Sequence, residues 1–169
     1  MQHKTYWLQL QLYWDTISNM RNEPKKETIQ AWIQLHRTHR LLLEKVENSL
    51  KNKGLPPLDW YDVLLELHRE KSKGLRQYEI GQKILLNKHN LSRLIDRLEK
   101  NKLVGRHVCA EDGRGNRIKI TEKGEKMLKQ VWPIYGKSIQ EDFGVKLKSK
   151  EFIELSRILS KVLGQSEST

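Results

Sequence analysis

The amino-acid sequence predicts a mainly α-helical fold that contains one short β-hairpin. From Thr28 onward, apolar residues recur mostly three, four and seven positions apart, which is the spacing of amphipathic helices. After Leu103 the spacing shortens to about two, as in a strand, and two such runs flank a glycine-rich turn. A chain of 169 residues is long enough for one domain with its own hydrophobic core.

Two helices are predicted in the first part of this domain. The first ends before Gly54 and the two prolines that follow, and its stripe comprises Ile29, Trp32, Ile33, His36, Leu43, Val46 and Leu50. The second runs from about Leu58 to Arg69. Residues 1–26 precede them as an N-terminal extension. This extension is either a helix that packs on the body or on a partner, or a stretch upstream of a natural start at Met20.

Two short helical patterns follow, from Gln77 to Ile84 and then after Asn87, a residue that favours helix N-caps. The apolar stripe of the second helix is formed by Leu91, Leu94, Ile95 and Leu98. The opposite side is basic and polar, with Lys88, His89, Asn90, Arg93 and Arg97. We therefore expect this helix to pack one face and to present a basic face to a partner.

The predicted hairpin consists of strands at about Val104 to Ala110 and Arg117 to Ile120, and its tip carries arginine. Thr121 is the expected N-cap of a long helix, and Ser149 is the expected N-cap of the last one. The last helix has an apolar stripe of Phe152, Leu155, Ile158, Leu159 and Val162.

The charge of the chain indicates a polyanionic partner. The chain has 32 Lys and Arg against 21 Asp and Glu, a net charge of +11. Residues 87–119 alone contain nine Lys or Arg against four Asp or Glu, so the basic charge concentrates on the second short helix and the hairpin. A helix in the major groove beside a basic hairpin is a known way to bind duplex DNA, so we expect nucleic acid as the partner.

At residues 87–99 (NKHNLSRLIDRLE) and 111–124 (EDGRGNRIKITEKG) the chain resembles the MarR family of bacterial transcriptional regulators. The resemblance implies a winged helix-turn-helix with a two-stranded β-hairpin wing, flanked by long N- and C-terminal dimerisation helices. The implied MarR-type domain covers residues 27–165. Residues 58–124 form its DNA-binding core, and residues 27–55 and 125–165 are the dimerisation segments.

The function that the resemblance implies is that of a homodimeric, sequence-specific transcriptional regulator. Its partner is double-stranded DNA with a pseudo-palindromic operator. Repression that a small-molecule effector relieves is the expected mode, and activation stays open. By the resemblance, Arg114 enters the minor groove, and Asp112 orients the arginines around it. The full expected DNA-binding set is Lys88, His89, Asn90, Ser92, Arg93, Arg97, Asp112, Arg114, Asn116 and Arg117.

Two positions depart from the family pattern. Lys102 and Leu85 stand where the family usually has glycine. Because a residue with a side chain tolerates left-handed backbone poorly, we expect these two turns to take another shape.

Family members often bind an effector where the first, second and fifth helices meet. Trp32, His36, Trp60 and Tyr61 are the expected lining of such a site, and ordinary core packing is the alternative for these side chains. His36 and His39 lack the further ligands that a metal set needs, so we expect no metal site and no cofactor. The lone Cys109 fits a packing role better than a redox role.

Other classes of protein fit the sequence less well. Gly113-Arg114-Gly115 lies between two predicted strands, whereas the phosphate-binding loop of a nucleotide-binding enzyme lies between a strand and a helix. We therefore do not expect the protein to be an enzyme. No apolar run reaches the length of a membrane span, and the single cysteine agrees with a reducing compartment, so we expect a cytoplasmic protein. The remaining alternative is a winged helix that serves as a protein-interaction module without specific DNA binding.

Overall fold

The computed structural model describes residues 23–71, 73–84, 88–108 and 116–164. Its elements are, in chain order, α1 (Lys26–Asn52), α2 (Leu58–Arg69), β1 (Leu75–Arg76), α3 (Gln77–Ile84), α4 (Lys88–Lys100), β2 (Val104–Val108), β3 (Asn116–Ile120), α5 (Glu122–Asp142), a 3-10 turn (Gly144–Lys146) and α6 (Ser149–Val162). The predicted order of helices and hairpin is confirmed. Two compact units comprise Met1–Leu41 and Leu42–Thr169.

The second unit is built on a small antiparallel sheet with the strand order β1-β3-β2. The predicted hairpin is present, with Val104 opposite Ile120 and Val108 opposite Asn116. The third strand, β1, is only two residues long and pairs Leu75 with Ile118. The hairpin thus supplies the central strand β3 and the edge strand β2 of a three-stranded sheet, and α3 follows directly after β1.

The core of this unit lies between α2, α4, the sheet and the start of α5. Its fully buried side chains are Leu50, Val63, Leu64, Leu67, Ile80, Leu91, Leu94, Ile95, Leu98, Leu103, Ile118 and Val131. Glu47 joins the end of α1 to this core, because its Oε1 accepts the backbone N–H of Leu58 at 3.0 Å and so caps α2. This bond therefore spans the α1–α2 turn.

The turn after α4 keeps the left-handed backbone that a glycine would normally supply. Lys102 has φ 59°, and the N–H groups of Lys102 and Leu103 donate to the carbonyls of Glu99 and Leu98 at 2.8 and 2.9 Å. These two bonds form a Schellman motif, and buried Leu103 and Leu98 supply its apolar contact. The expectation of a different turn shape at Lys102 is wrong, because the motif and the burial of Leu103 hold the lysine there. Leu85 lies outside the described residues.

We predict that Lys102→Gly stabilises the protein. Left-handed backbone costs a residue with a Cβ roughly 1–2 kcal/mol, and glycine avoids this cost. The greater conformational freedom of glycine in the unfolded chain offsets part of the gain, so we expect a net stabilisation of about 0.5–1 kcal/mol. The measurement is the free energy of unfolding in denaturant, with Lys102→Ala as the control that removes the charge but keeps the Cβ. An equal gain in both variants would assign the effect to the charge of Lys102 and not to its backbone.

The start of α5 is fastened to the end of α4. Thr121 is the N-cap, as predicted, and its Oγ1 accepts the backbone N–H of Gly124 at 3.1 Å. The same hydroxyl also lies 2.8 Å from the carbonyl oxygen of Lys102 and 3.1 Å from that of Leu103. Lys123 adds a bond from its Nζ to the carbonyl oxygen of Asn101 at 2.9 Å. Hydrogen bonds therefore join the segment directly after α4 to the first turn of α5.

The last helix leaves much of its apolar side uncovered in the single chain. Ile153, Ile158 and Val162 are exposed, whereas Phe152 packs edge-on against Phe143 with ring centroids 5.1 Å apart. The prediction that Ser149 caps this helix is wrong. Lys148 occupies the cap position, and Glu151 caps the helix by accepting the N–H of Lys148 at 2.7 Å. A carboxylate at the third helical position replaces the hydroxyl that the sequence suggested.

In the first unit, α1 also exposes large apolar side chains. Trp32, Leu35 and Leu41 are all exposed, and the rings of Trp32 and His36 meet edge-on with centroids 4.6 Å apart. The predicted stripe is buried only in the second unit, at Val46 and Leu50.

Candidate nucleic-acid interface

Helix α4 has two opposed faces. Leu91, Leu94, Ile95 and Leu98 are all at most 1% exposed and anchor the helix in the core. Asn90, Arg93 and Arg97 are exposed on the other side, and Ser92 is half-buried beside them. Because residues three and four apart are neighbours on a helix, the exposed basic and polar groups form one continuous strip. For Asn90, Arg93 and Arg97 this arrangement is the one predicted from the sequence, whereas the side chains of Lys88 and His89 lie outside the described part.

Two side chains near the C-terminal end of α4 donate hydrogen bonds to backbone carbonyls one turn earlier. The Nε of Arg97 donates to the carbonyl oxygen of Arg93 at 3.2 Å, and Asn101 donates from Nδ2 to the carbonyl oxygen of Arg97 at 2.8 Å. The backbone of Lys88 and His89 belongs to the first turn of the same helix. Recognition helices present their N-terminal residues to base edges.

An ion-pair cluster that sequence reasoning missed joins α4 to the hairpin. Arg106 of β2 donates from Nη2 to Asp96 Oδ1 at 2.5 Å and from Nη1 to Glu99 Oε2. The hydrogen bond to Asp96 is the main cause that raises the pKa of the Arg106 guanidinium, which stays charged. The sequence offered only a basic residue in a strand, seven and ten residues from two acids, and no local spacing rule links them.

The base of the wing carries the remaining described residues of the expected set. Asn116 is exposed at the start of β3. Arg117 is half-buried, donates from Nη1 to the carbonyl oxygen of Gly74 at 3.0 Å, and lies 3.9 Å from Glu79 Oε2. Arg117 thus fastens β3 to the segment before α3, while its contact with DNA stays a prediction. Asp112, Arg114 and Cys109 lie outside the described residues.

The expected effector residues fall into two separate groups. Trp32 and His36 belong to the first unit, where their rings touch. Trp60 is half-buried against the core of the second unit. Tyr61 meets two aromatic rings of α5, with centroid distances of 6.4 Å to Trp132 and 5.4 Å to Tyr135. The sequence did not single out Trp132 or Tyr135.

Tyr61, Trp132 and Tyr135 form an aromatic cluster, and the carboxyl group of Asp62 acts electrostatically on its two tyrosines. Burial, followed by repulsion from Asp59, Glu66 and Glu47, raises the pKa of Asp62 to about 6. Burial and the charge of Asp62 also raise the pKa of Tyr61 and of Tyr135. A carboxyl group that titrates near neutral pH among aromatic rings can bind either a cation or a hydrogen-bonding group.

Two absences concern the described ranges, residues 23–71, 73–84, 88–108 and 116–164. None of the helices there combines the length and the apolar character that crossing a bilayer requires. Within the same part of the chain, no three His, Cys, Asp or Glu side chains are grouped so that they could hold a metal ion.

The helix pair α3–α4 followed by the sheet defines the class of the protein, which is a winged helix-turn-helix protein of the DNA-binding type. Residues 53–115 match the model of the MarR family. The HTH-type transcriptional regulator MhqR of Bacillus subtilis (strain 168) is 29% identical over 139 residues, which cover 82% of this chain and 92% of that protein. The chain is therefore similar to MarR family transcriptional regulators in the family model, in this relative and in solved structures.

Solved structures share the fold over nearly their whole length. AbsC, a MarR family transcriptional regulator from Streptomyces coelicolor, superposes with a TM-score of 0.74 at 27% identity and covers 85% of this chain and 96% of its own. Sco3205, a MarR family regulator from the same organism, was solved in complex with DNA. It superposes with a TM-score of 0.78 at 22% identity, over 90% of this chain and 95% of its own.

Proposed function

We propose that this protein is a homodimeric transcriptional regulator that binds a pseudo-palindromic operator in double-stranded DNA. The observation that carries the proposal is the division of α4 into a buried apolar face and an exposed basic face. In this account the exposed face enters the major groove, and the hairpin reaches the backbone or the minor groove beside it. Sco3205, a protein of the same fold, was solved in complex with DNA, which supports DNA as the partner.

The residues proposed to contact DNA come from both parts of the motif. In α4, Asn90 and Arg93 face base edges and phosphates together with Arg97. The wing adds Arg114, and the complete set is Lys88, His89, Asn90, Ser92, Arg93, Arg97, Asp112, Arg114, Asn116 and Arg117. Lys and Arg in this set supply the salt-dependent attraction to phosphates, while Asn90 and the arginines can read bases.

The proposed dimer explains why two segments expose apolar side chains. α1 exposes Trp32, Leu35 and Leu41, and α6 exposes Ile153, Ile158 and Val162. Exposed apolar side chains in such numbers are typical of a surface that a partner covers. We assign dimerisation to residues 27–55 and 125–165, and DNA binding to residues 58–124.

Regulation by a small molecule is the proposed way in which DNA binding is controlled. The aromatic rings of Tyr61, Trp132 and Tyr135 with Asp62 support an effector site in the second unit. Trp32, His36 and Trp60 are the other residues that the sequence predicts as its lining. An effector that changes the separation of the two recognition helices would relieve repression; activation is the alternative outcome. We place the protein in the cytoplasm and assign it no enzymatic activity.

Salt dependence of binding tests the DNA-binding function directly. We expect the affinity for a duplex to fall by about 10³–10⁵ between roughly 50 and 200 mM salt, because a dimer with six to ten phosphate contacts releases that many counterions. Fluorescence anisotropy of a labelled duplex at a series of salt concentrations gives the slope. A flat response, or no binding at the lowest salt, would favour the protein-interaction module instead.

A further inference from the structure

The exposed face of α4 contains two carboxylates among its basic groups. Asp96 follows Arg93 by three residues and precedes Lys100 by four, so it lies between two cations on the helix surface. Glu99 lies one turn further, at the edge of the same face. A recognition helix approaches a dense row of phosphates, so unpaired carboxylates at these positions would oppose the approach.

Arg106 forms ion pairs with both carboxylates through its one guanidinium group. Its two Nη atoms engage Asp96 and Glu99 separately, which uses the planar fork of the arginine side chain. The backbone of Arg106 is fixed in β2, where it pairs with Ile118 of β3. The three side chains are partly exposed, at 33% for Arg106, 59% for Asp96 and 36% for Glu99, so they lie at the surface and not in the core.

We propose that Arg106 is a positioning residue for DNA binding, which neutralises Asp96 and Glu99 on the proposed recognition helix α4. This proposal rests on the proposed function. It adds a residue outside the expected DNA-binding set, and one that acts through α4 instead of contacting DNA itself. The ion pairs join α4, which supplies the carboxylates, to β2, which supplies the arginine.

The charges of the cluster distinguish this positioning role from a direct contact of Arg106 with DNA. Loss of the Arg106 charge leaves two unpaired carboxylates on the face that meets DNA. Removal of the carboxylates as well leaves a neutral cluster, so affinity should return even though Arg106 is absent. An arginine that contacted phosphate directly would show no such rescue, since its own contact would still be missing.

The test compares variants of the full chain on a fluorescent mixed-sequence duplex of about 30 base pairs at about 100 mM salt. We expect Arg106→Gln to weaken binding about tenfold, and Arg106→Gln/Asp96→Asn/Glu99→Gln to bind within about threefold of the unmodified protein. Asp96→Asn/Glu99→Gln should bind the duplex at least as tightly as the unmodified protein. Arg157→Gln, which removes an arginine paired with Glu154 on α6, is the matched control and should change affinity less than twofold.

Melting temperature and oligomeric state are measured on each variant. Binding of Arg106→Gln that equals binding of Arg157→Gln overturns the proposal, and so does a triple variant that binds no better than Arg106→Gln. If Arg106→Gln does not fold, Asp96→Asn/Glu99→Gln decides alone, because weaker binding by that folded variant contradicts charge compensation. Failure of the unmodified protein to bind the duplex at any salt overturns the proposed function, and this inference with it.

Discussion

Gly124→Ala is expected to destabilise the protein by about 2–3 kcal/mol, because the start of α5 has no room for a Cβ. A Cβ at residue 124 would lie 2.3 Å from the carbonyl oxygen of Leu103 and 2.7 Å from Cγ1 of Ile120. The carbonyl is held by the Schellman turn and by Thr121, so neither side of the contact can yield easily. Denaturant unfolding at a fixed protein concentration measures the loss.

Gly136 provides the control within the same helix. A Cβ there meets only the ring of Trp132, at an ordinary distance of 3.6 Å. Gly136→Ala should therefore stabilise the protein by up to about 1 kcal/mol through helix propensity. If Gly124→Ala were as stable as Gly136→Ala, the close approach of α5 to the end of α4 would be wrong.

Arg93→Ala/Arg97→Ala is expected to reduce the affinity for duplex DNA by about 100-fold or more. The two arginines lie four residues apart on the exposed face of α4, and a dimer loses four of them. The slope of log affinity against log salt should also decrease by about 2–4, since fewer counterions are released. Anisotropy titrations at several salt concentrations supply both quantities.

Lys129→Ala/Lys137→Ala is the control for the loss of two positive charges. Both lysines are exposed on α5, outside the proposed DNA-binding set. This variant should bind within about threefold of the unmodified protein, because only the long-range field changes. Equal losses in the two double variants would mean that the net charge of +11, and not the face of α4, produces the binding.

Sequence periodicity predicts the parts of this fold that depend on local patterns. The bounds of α2 and α3 follow from their apolar spacing and flanking turns, and Thr121 is recognised as a cap because a hydroxyl before a helix has a specific hydrogen-bonding role. The two faces of α4 follow from the spacing of its apolar residues. Each of these features is determined by residues within about two turns of one another.

The features that the sequence does not reveal depend on contacts between distant residues. β1 is too short for a periodic signal and exists because β3 supplies its hydrogen bonds. Arg106 finds Asp96 and Glu99 only after the strand folds back along α4. At Lys102, packing of Leu103 outweighs the backbone preference of a lysine.

The connection between α4 and α5 has a consequence for regulation. Thr121 and Lys123 bond to the carbonyls at the end of α4, and the same helix α5 carries Trp132 and Tyr135 beside Tyr61. If the proposed effector binds at these rings, it acts on a helix that is hydrogen-bonded to the segment directly after α4, the proposed recognition helix. For such a ligand to regulate DNA binding, it must bind the two states of the dimer with different affinities.

The central claim, that a dimer of this chain reads duplex DNA through α4 and the wing, is tested most directly by selection of genomic fragments. The purified protein is mixed with fragments of its source genome at physiological salt, and the bound fragments are sequenced. We predict a shared inverted repeat whose half-sites lie one helical turn apart, about 34 Å. Bound fragments with no shared sequence, or with a single half-site of no inverted symmetry, would contradict a dimer that reads DNA with two copies of α4.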